Sequence, residues 1–197
     1  MNILLVNHYA GSPLHGMEYR PYHLAREWQK SGHRVTVVGA SFSHVRVRQP
    51  SDTCAWNEEE IDGIRYIWLR TPPYSGNGAS RALNMAAFVS RLYLATGKLA
   101  ESERPDVVIA SSTYPLDIVP ARRIAGLAGA KLIYEVHDLW PLSPVVLGGM
   151  SPLHPFIMVM QWAENMAYRW SDKVVSLLPL AKEHMVSHGM APEKFAY

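Results

Sequence analysis

One cysteine in 197 residues leaves Cys54 without an intrachain partner. A disulfide scaffold is therefore excluded, and so is a structural zinc site built on thiolates. The same scarcity points to a reducing compartment, and the expected location is cytoplasmic. Charge of one sign is also lacking. Nineteen Lys and Arg stand against 17 Asp and Glu, a formal balance of +2. A dedicated nucleic-acid binder carries a strong basic surplus, so no nucleic-acid partner is expected. Apolar residues make up 48% of the chain, ample for one large core, and a disordered chain is excluded.

Several recurring signals are missing. A secretory leader needs a basic start and a long apolar stretch, whereas Ile3–Val6 is short and runs straight into Asn7-His8. Residues 139–163 carry no Asp, Glu, Lys or Arg and are long enough to span a bilayer. Pro141, Pro144, Pro152, Pro155 and Gly148-Gly149 interrupt them, however, and would leave backbone groups unpaired in lipid. The segment reads instead as a buried or interfacial apolar loop leading into a helix. Gly-x-Gly-x-x-Gly is absent, and so is the Gly-x-Ser-x-Gly of a serine hydrolase. The spacing Gly11 to Gly16 resembles half of a P-loop, but Met17-Glu18 stands where Lys-Ser/Thr is needed.

What is present alternates. Short apolar runs at Asn2–Val6, Val35–Val38, Val107–Ala110, Lys131–Val136 and Val174–Leu177 read as strands buried on both faces. Between them, residues 17–29, 81–103, 115–126, 156–170 and 179–188 read as helices, the first stopped by Ser31-Gly32 and the last by Gly189. On the long helix, Leu83, Ala87 and Leu94 recur on one face. The run Asp52, Glu58, Glu59, Glu60, Asp62 reads as a solvated loop, and Asp62-Gly63 as a turn into an alternating strand at Ile64–Arg70. Strand–helix alternation predicts an α/β fold with a Rossmann-like, doubly wound, mostly parallel sheet.

In such a sheet the ligand crevice lies beyond the carboxyl ends of the strands. Three loops qualify: residues 7–18, residues 111–114 and residues 137–140. In the first, Gly16 opens a helix whose bare amides suit an anion, or merely permits a tight turn. In the third, His137 and Asp138 suit a polyhydroxy ligand; the alternative is a buried, satisfied histidine beside a turn-capping aspartate. His184 and His188 are one helical turn apart, as metal ligands are, but no Glu follows His184 and no thiol is available. They are expected to lie on a solvated helix face. His8, His15 and His23 lack ligand spacing, and Tyr19, Tyr22 and Trp28 read as partial core.

The segments Gly16-Met17-Glu18-Tyr19-Arg20-Pro21-Tyr22-His23-Leu24-Ala25 and Gly32-His33-Arg34-Val35-Thr36-Val37 resemble the opening of a GT-B fold glycosyltransferase of family 4. Asp62-Gly63-Ile64, Arg104-Pro105-Asp106-Val107-Val108, Tyr134-Glu135-Val136-His137-Asp138-Leu139-Trp140-Pro141 and Ser171-Asp172-Lys173-Val174-Val175 continue it. Within the family they resemble the bacterial capsule, O-antigen and colanic-acid branch. The resemblance implies that residues 1–197 are the N-terminal, acceptor-side domain of a two-domain enzyme, without the C-terminal donor-binding domain and inactive alone. It implies metal-independent transfer, with retention of configuration, from a nucleotide-sugar donor to a lipid-linked or oligosaccharide acceptor in cell-surface polysaccharide synthesis. No cofactor is implied. Gly16 matches the glycine that approaches the donor diphosphate, although His15 replaces the first of the family's two glycines. Met17, Glu18 and Arg20 join the same substrate-binding wall. His137 matches the strand-end position that touches the transferred sugar, with Asp138 beside it.

Rival readings are a GT-B sugar-nucleotide epimerase and a non-enzymatic flavodoxin-like or receiver-like module. A receiver needs an acidic cluster beyond the first strand, where Asn7-His8 stands here. Peripheral contact with the inner face of the plasma membrane is a further expectation. Residues 1–50 hold six Lys and Arg against two Asp and Glu, and the helix from Arg81 mixes Phe88, Leu92 and Tyr93 with Arg81, Arg91 and Lys98. The alternative is a helix that simply covers its own sheet.

Overall fold

The computed structural model of the chain describes residues 1–51 and 53–197. Apolar runs at Asn2–Val6 (β1), Arg34–Ala40 (β2), Val107–Ala110 (β5), Lys131–Val136 (β6) and Lys173–Ser176 (β7) form the parallel centre of an eight-stranded sheet. Its order is β3-β4-β2-β1-β5-β6-β7-β8, where Trp56–Ile61 is β3, Ile64–Leu69 is β4 and Phe195–Ala196 is β8. Only β3 runs antiparallel, across the Asp62-Gly63 turn. The fold is the expected doubly wound α/β sheet, with β8 added at one edge.

Period-two alternation divides the core. On one face, Ile3, Leu5, Val35 and Val37 pack with Tyr22 and Ala25 of Arg20–Lys30 (α1). On the other, Leu4, Val6, Val38 and Val108 pack with Ala79–Glu103 (α2) and Ile118–Ala128 (α3). Tyr168 of Pro155–Trp170 (α5) and Met185 of Ala181–Ser187 (α6) complete that layer. Burying each large side chain on either face contributes about 1.5–3 kcal/mol.

Several local expectations are corrected. α1 begins at Arg20, not Met17, because Met17 and Glu18 adopt left-handed φ values of 57° and 50°. Pro21, with its preset φ, then starts the helix. Glu18 therefore precedes the first helical turn. The acidic run is not a loop, since Glu58, Glu59 and Glu60 lie on β3. Their charges are tolerable there because β3 is an edge strand and two of the three are tied down. Trp56 Nε1 and Arg65 donate to Glu58 (2.7 and 2.9 Å), and Trp68 Nε1 donates to Glu59 (3.0 Å). Asp52 lies outside the described residues. On α2 the buried face is Met85, Phe88, Leu92, Thr96 and Leu99, while Leu83 and Leu94 are exposed. With Phe88 and Leu92 wholly buried, α2 covers its own sheet rather than presenting them to lipid. The proline-rich segment contains one short helix, Leu142–Val146 (α4). Among the described residues, no helix is long and apolar enough to cross a membrane.

Candidate functional site

β1 is followed in the chain by β2 on one side of it and later by β5 on the other, so the sheet's topological switch lies between β1 and β5. A crevice opens beyond their carboxyl ends. Asn7, just past β1, reaches across and donates to the Ser111 carbonyl (2.7 Å). The His8 amide donates to Ser112 Oγ (3.0 Å), which locks the two loops together. His8 itself is fully buried against Tyr114, and burial pulls its pKa down to about 3, with Arg46 adding to the effect. It is a neutral packing group. Arg46 fastens the first loop from behind, donating to the carbonyls of Ala10 (2.7 Å) and Ala40 (2.8 Å).

The centre of the site is a carboxylate. Glu135 and His137 are two residues apart, so their side chains leave the end of β6 on one face. Glu135 is buried. Its Oε1 accepts from Arg20 Nε (2.8 Å) and Nη2, and its Oε2 accepts from Ser111 Oγ (2.7 Å). His137 Nε2 lies 2.9 Å from Ser111 Oγ and 3.4 Å from Glu135 Oε2. Burial disfavours the Glu135 charge, but the bonds from His137, Ser111 and Arg20 outweigh it and hold the pKa near 2.

The hydrogen-bond network assigns one tautomer. Ser111 spends its proton on Glu135, so its oxygen accepts from His137 Nε2–H. In the uncharged form of the ring this tautomer leaves the lone pair on Nδ1, which has no partner among the described residues. A cavity of about 90 Å³ opens here, lined by Arg20, Glu135, Val136, His137, Leu177 and Leu178. Beneath it, Asp117 is fully buried; Oδ2 accepts the Ser112 amide (3.1 Å) and Oδ1 has no partner among the described residues. Burial raises its pKa to about 7 against the opposing pull of Ser112 and His137.

The residues expected at the site separate into two groups. Arg20 and His137 meet through Glu135. Gly16 does not join them. Its left-handed turn (φ 69°) packs against Val47, and its amide donates to the Ser12 carbonyl (2.9 Å). The amides of Met17, Glu18, Tyr19 and Arg20 donate to no acceptor among the described residues, and no side chain caps α1. Met17 is exposed and Glu18 half-buried. Asp138 is exposed and accepts from Ser143 Oγ (2.6 Å), the contact of a turn cap.

Glu135 and Ser111 join this network without having been expected site residues, although residues 111–114 form one of the three strand-end loops and Glu135 lies in a segment that carries the resemblance. Glu135 carried a signal, as the lone charge between Lys131 and Asp138 in an apolar strand. A charge placed there needs partners, and partners make a site.

The glycosyl transferase 4-like domain family model matches residues 15–197. No curated protein sequence matches the chain. Among solved structures, the UDP-GlcNAc 2-epimerase from Methanocaldococcus jannaschii aligns over 100% of this chain and 45% of its own, with 12% identity and a TM-score of 0.55. Anabaena Alr3699/HepE in complex with UDP and glucose aligns over 100% and 43%, with 15% identity and a TM-score of 0.54. The lipopolysaccharide outer core galactosyltransferase WaaB, apo form, aligns over 100% and 45%, with 15% identity and a TM-score of 0.53. The chain thus spans less than half the length of each of these structures. At such identities these likenesses establish the fold; the family match carries the assignment, and the chain belongs to the glycosyl transferase 4-like domain family.

Proposed function

We propose that residues 1–197 supply the acceptor-side wall of a glycosyltransferase cleft that moves a sugar from a nucleotide-sugar donor to a hydroxyl of a lipid-linked or oligosaccharide acceptor, with retention. A second domain supplies most of the donor site. The observation that carries this reading is the Arg20–Glu135–Ser111–His137 network at the strand ends, in a chain of this family. It holds His137 rigid and leaves Nδ1 as an acceptor for a sugar hydroxyl. The unpartnered amides of residues 17–20 suit the departing diphosphate, with the α1 dipole adding to their pull. That role falls to Met17, Glu18 and the residues after them, because the Gly16 amide is already used. Asp138 shapes the turn beyond His137 by holding Ser143.

No step in this scheme needs a proton-transfer dyad within the domain. The wall orients two substrates and stabilises charge on the leaving group. Substituting His137→Ala in the polypeptide that carries this domain is expected to lower transfer on the order of 10²-fold. Product analysis with UDP- and GDP-sugars and a set of lipid-linked acceptors reads the outcome. Near-normal turnover would remove His137 from the mechanism, and an epimerised sugar nucleotide as sole product would replace transfer with epimerisation.

A further inference from the structure

We infer that Glu164, His184 and His188 form a binding site for a divalent transition metal of the zinc class, tying α6 to α5. The histidine pair expected on a solvated face is in fact half-buried against α5. Glu164 is almost completely buried, and among the described residues no Lys or Arg lies within ion-pair distance of it. A carboxylate removed from water to that degree is stabilised by a nearby positive centre. His184 Nε2 lies 3.2 Å from Glu164 Oε1. The ligand atoms of Glu164, His184 and His188 all fall within 4.8 Å of one another.

The supporting contacts point the same way. His188 Nδ1 lies 2.8 Å from the His184 carbonyl, which only accepts, so Nδ1 carries the proton and Nε2 the lone pair. A ring N–H on a backbone carbonyl is how metal-bound histidines are usually held. The His184 and His188 rings lie side by side, 4.1 Å between centroids and 30° apart. On the other side, Tyr168 donates to Glu164 Oε1 (2.8 Å) and Gln161 to Oε2 (2.7 Å), fixing the carboxylate.

Two imidazoles and a carboxylate select zinc or its neighbours over calcium and magnesium, which prefer oxygen alone. Tetrahedral zinc at bond lengths near 2.1 Å separates its ligands by about 3.4 Å, close to the Glu164–His184 spacing. The wider pair closes by rotation of His188, which sits at the end of α6. Three protein ligands leave the fourth position for water. Such a clamp fixes the middle and the C-terminal end of α6 against α5. The inference rests on the residues of α5 and α6 and stands whether or not the chain transfers sugars.

The test uses tag-free protein stripped with a chelator. Titration with Co²⁺ should give a visible d–d band of low-symmetry coordination that saturates at one equivalent, and Zn²⁺ should abolish it by competition. Zn²⁺ in excess should also raise the melting temperature, as any ligand specific to the folded state does. His188→Ala, at a half-exposed position, and the double variant His184→Ala/His188→Ala should fold and weaken binding by more than the ~10–100-fold that loss of an outer-shell partner costs. Circular dichroism confirms folding of each variant. No band and no stoichiometric zinc binding would overturn the inference. So would binding that survives in the folded double variant.

Discussion

Replacing Glu135 by Gln keeps the shape of the side chain and removes its charge. In the folded chain the carboxyl is held near pKa 2, against an ordinary value of 4.5. The depressed value has a definite sign. Glu135 contributes stability that is fully present above about pH 4.5 and is lost as pH falls through about 2. That depression corresponds to about 3 kcal/mol at neutral pH. Linkage leaves about 1 kcal/mol of it at pH 3 and little at pH 2.

The amide that replaces the carboxyl does not titrate, so the difference between the two proteins reports the Glu135 charge together with its coupling to His137. Urea unfolding of wild type and Glu135→Gln, followed by tryptophan fluorescence at pH 7, 5, 4 and 3, measures it. The wild-type advantage should shrink by about 2 kcal/mol between pH 7 and pH 3. The constant offset from altered hydrogen bonding cancels in that comparison. A stability difference independent of pH would refute the reasoning, because the Arg20, Ser111 and His137 contacts would then not favour the charged form.

Asp117 works in the opposite direction. Its folded pKa is raised to about 7 by burial, so the folded state holds a proton that the unfolded chain gives up near 3.8. Wild-type stability should therefore fall by about 4 kcal/mol as pH rises from 4 to 8, and Asp117→Asn should escape that fall. Denaturant midpoints of the two proteins across that range check it, and parallel pH profiles would count against it. On α2, Phe88→Ala should cost about 3–5 kcal/mol through the cavity it leaves. Leu94→Ala, on the exposed face, should stay within about 0.5 kcal/mol, and thermal or urea unfolding separates the two.

The central strands are legible in the sequence because both faces of the sheet are covered. A strand such as Leu4-Leu5-Val6 then needs no polar alternation, and its apolar run stands out. β3 is not legible, for the converse reason. Asn57-Glu58-Glu59-Glu60 has no strand-forming pattern of its own; it is extended because β4 pairs with it and Trp56, Trp68 and Arg65 use two of its carboxylates. The covered face of α2 is ambiguous because leucines occupy both sides of the helix, and only the sheet decides which side is covered. The start of α1 is hidden because local propensity does not reveal two consecutive left-handed residues. At the site, the strand-end rule locates His137, while the side chain that organises it lies inside the strand.

Where Glu135 sits decides what kind of wall the crevice presents. Arg20 occupies one carboxylate oxygen, and Ser111 and His137 occupy the side of the other. The negative charge is thus neutralised inward, and little acceptor capacity remains on it for a ligand. The groups left for a ligand are Nδ1 of His137 and the amides from Met17 to Arg20, which have no partner among the described residues. A crevice so arranged repels no anion despite a buried carboxylate at its base. Had Arg20 been absent, the same glutamate would have opposed a diphosphate, and the donors at the start of α1 would have worked against the nearest charge rather than with it. On the proposed reading the Arg20–Glu135 pair serves the ligand by hiding a charge, so removing Arg20 should harm anion binding more than the loss of one distant positive charge would.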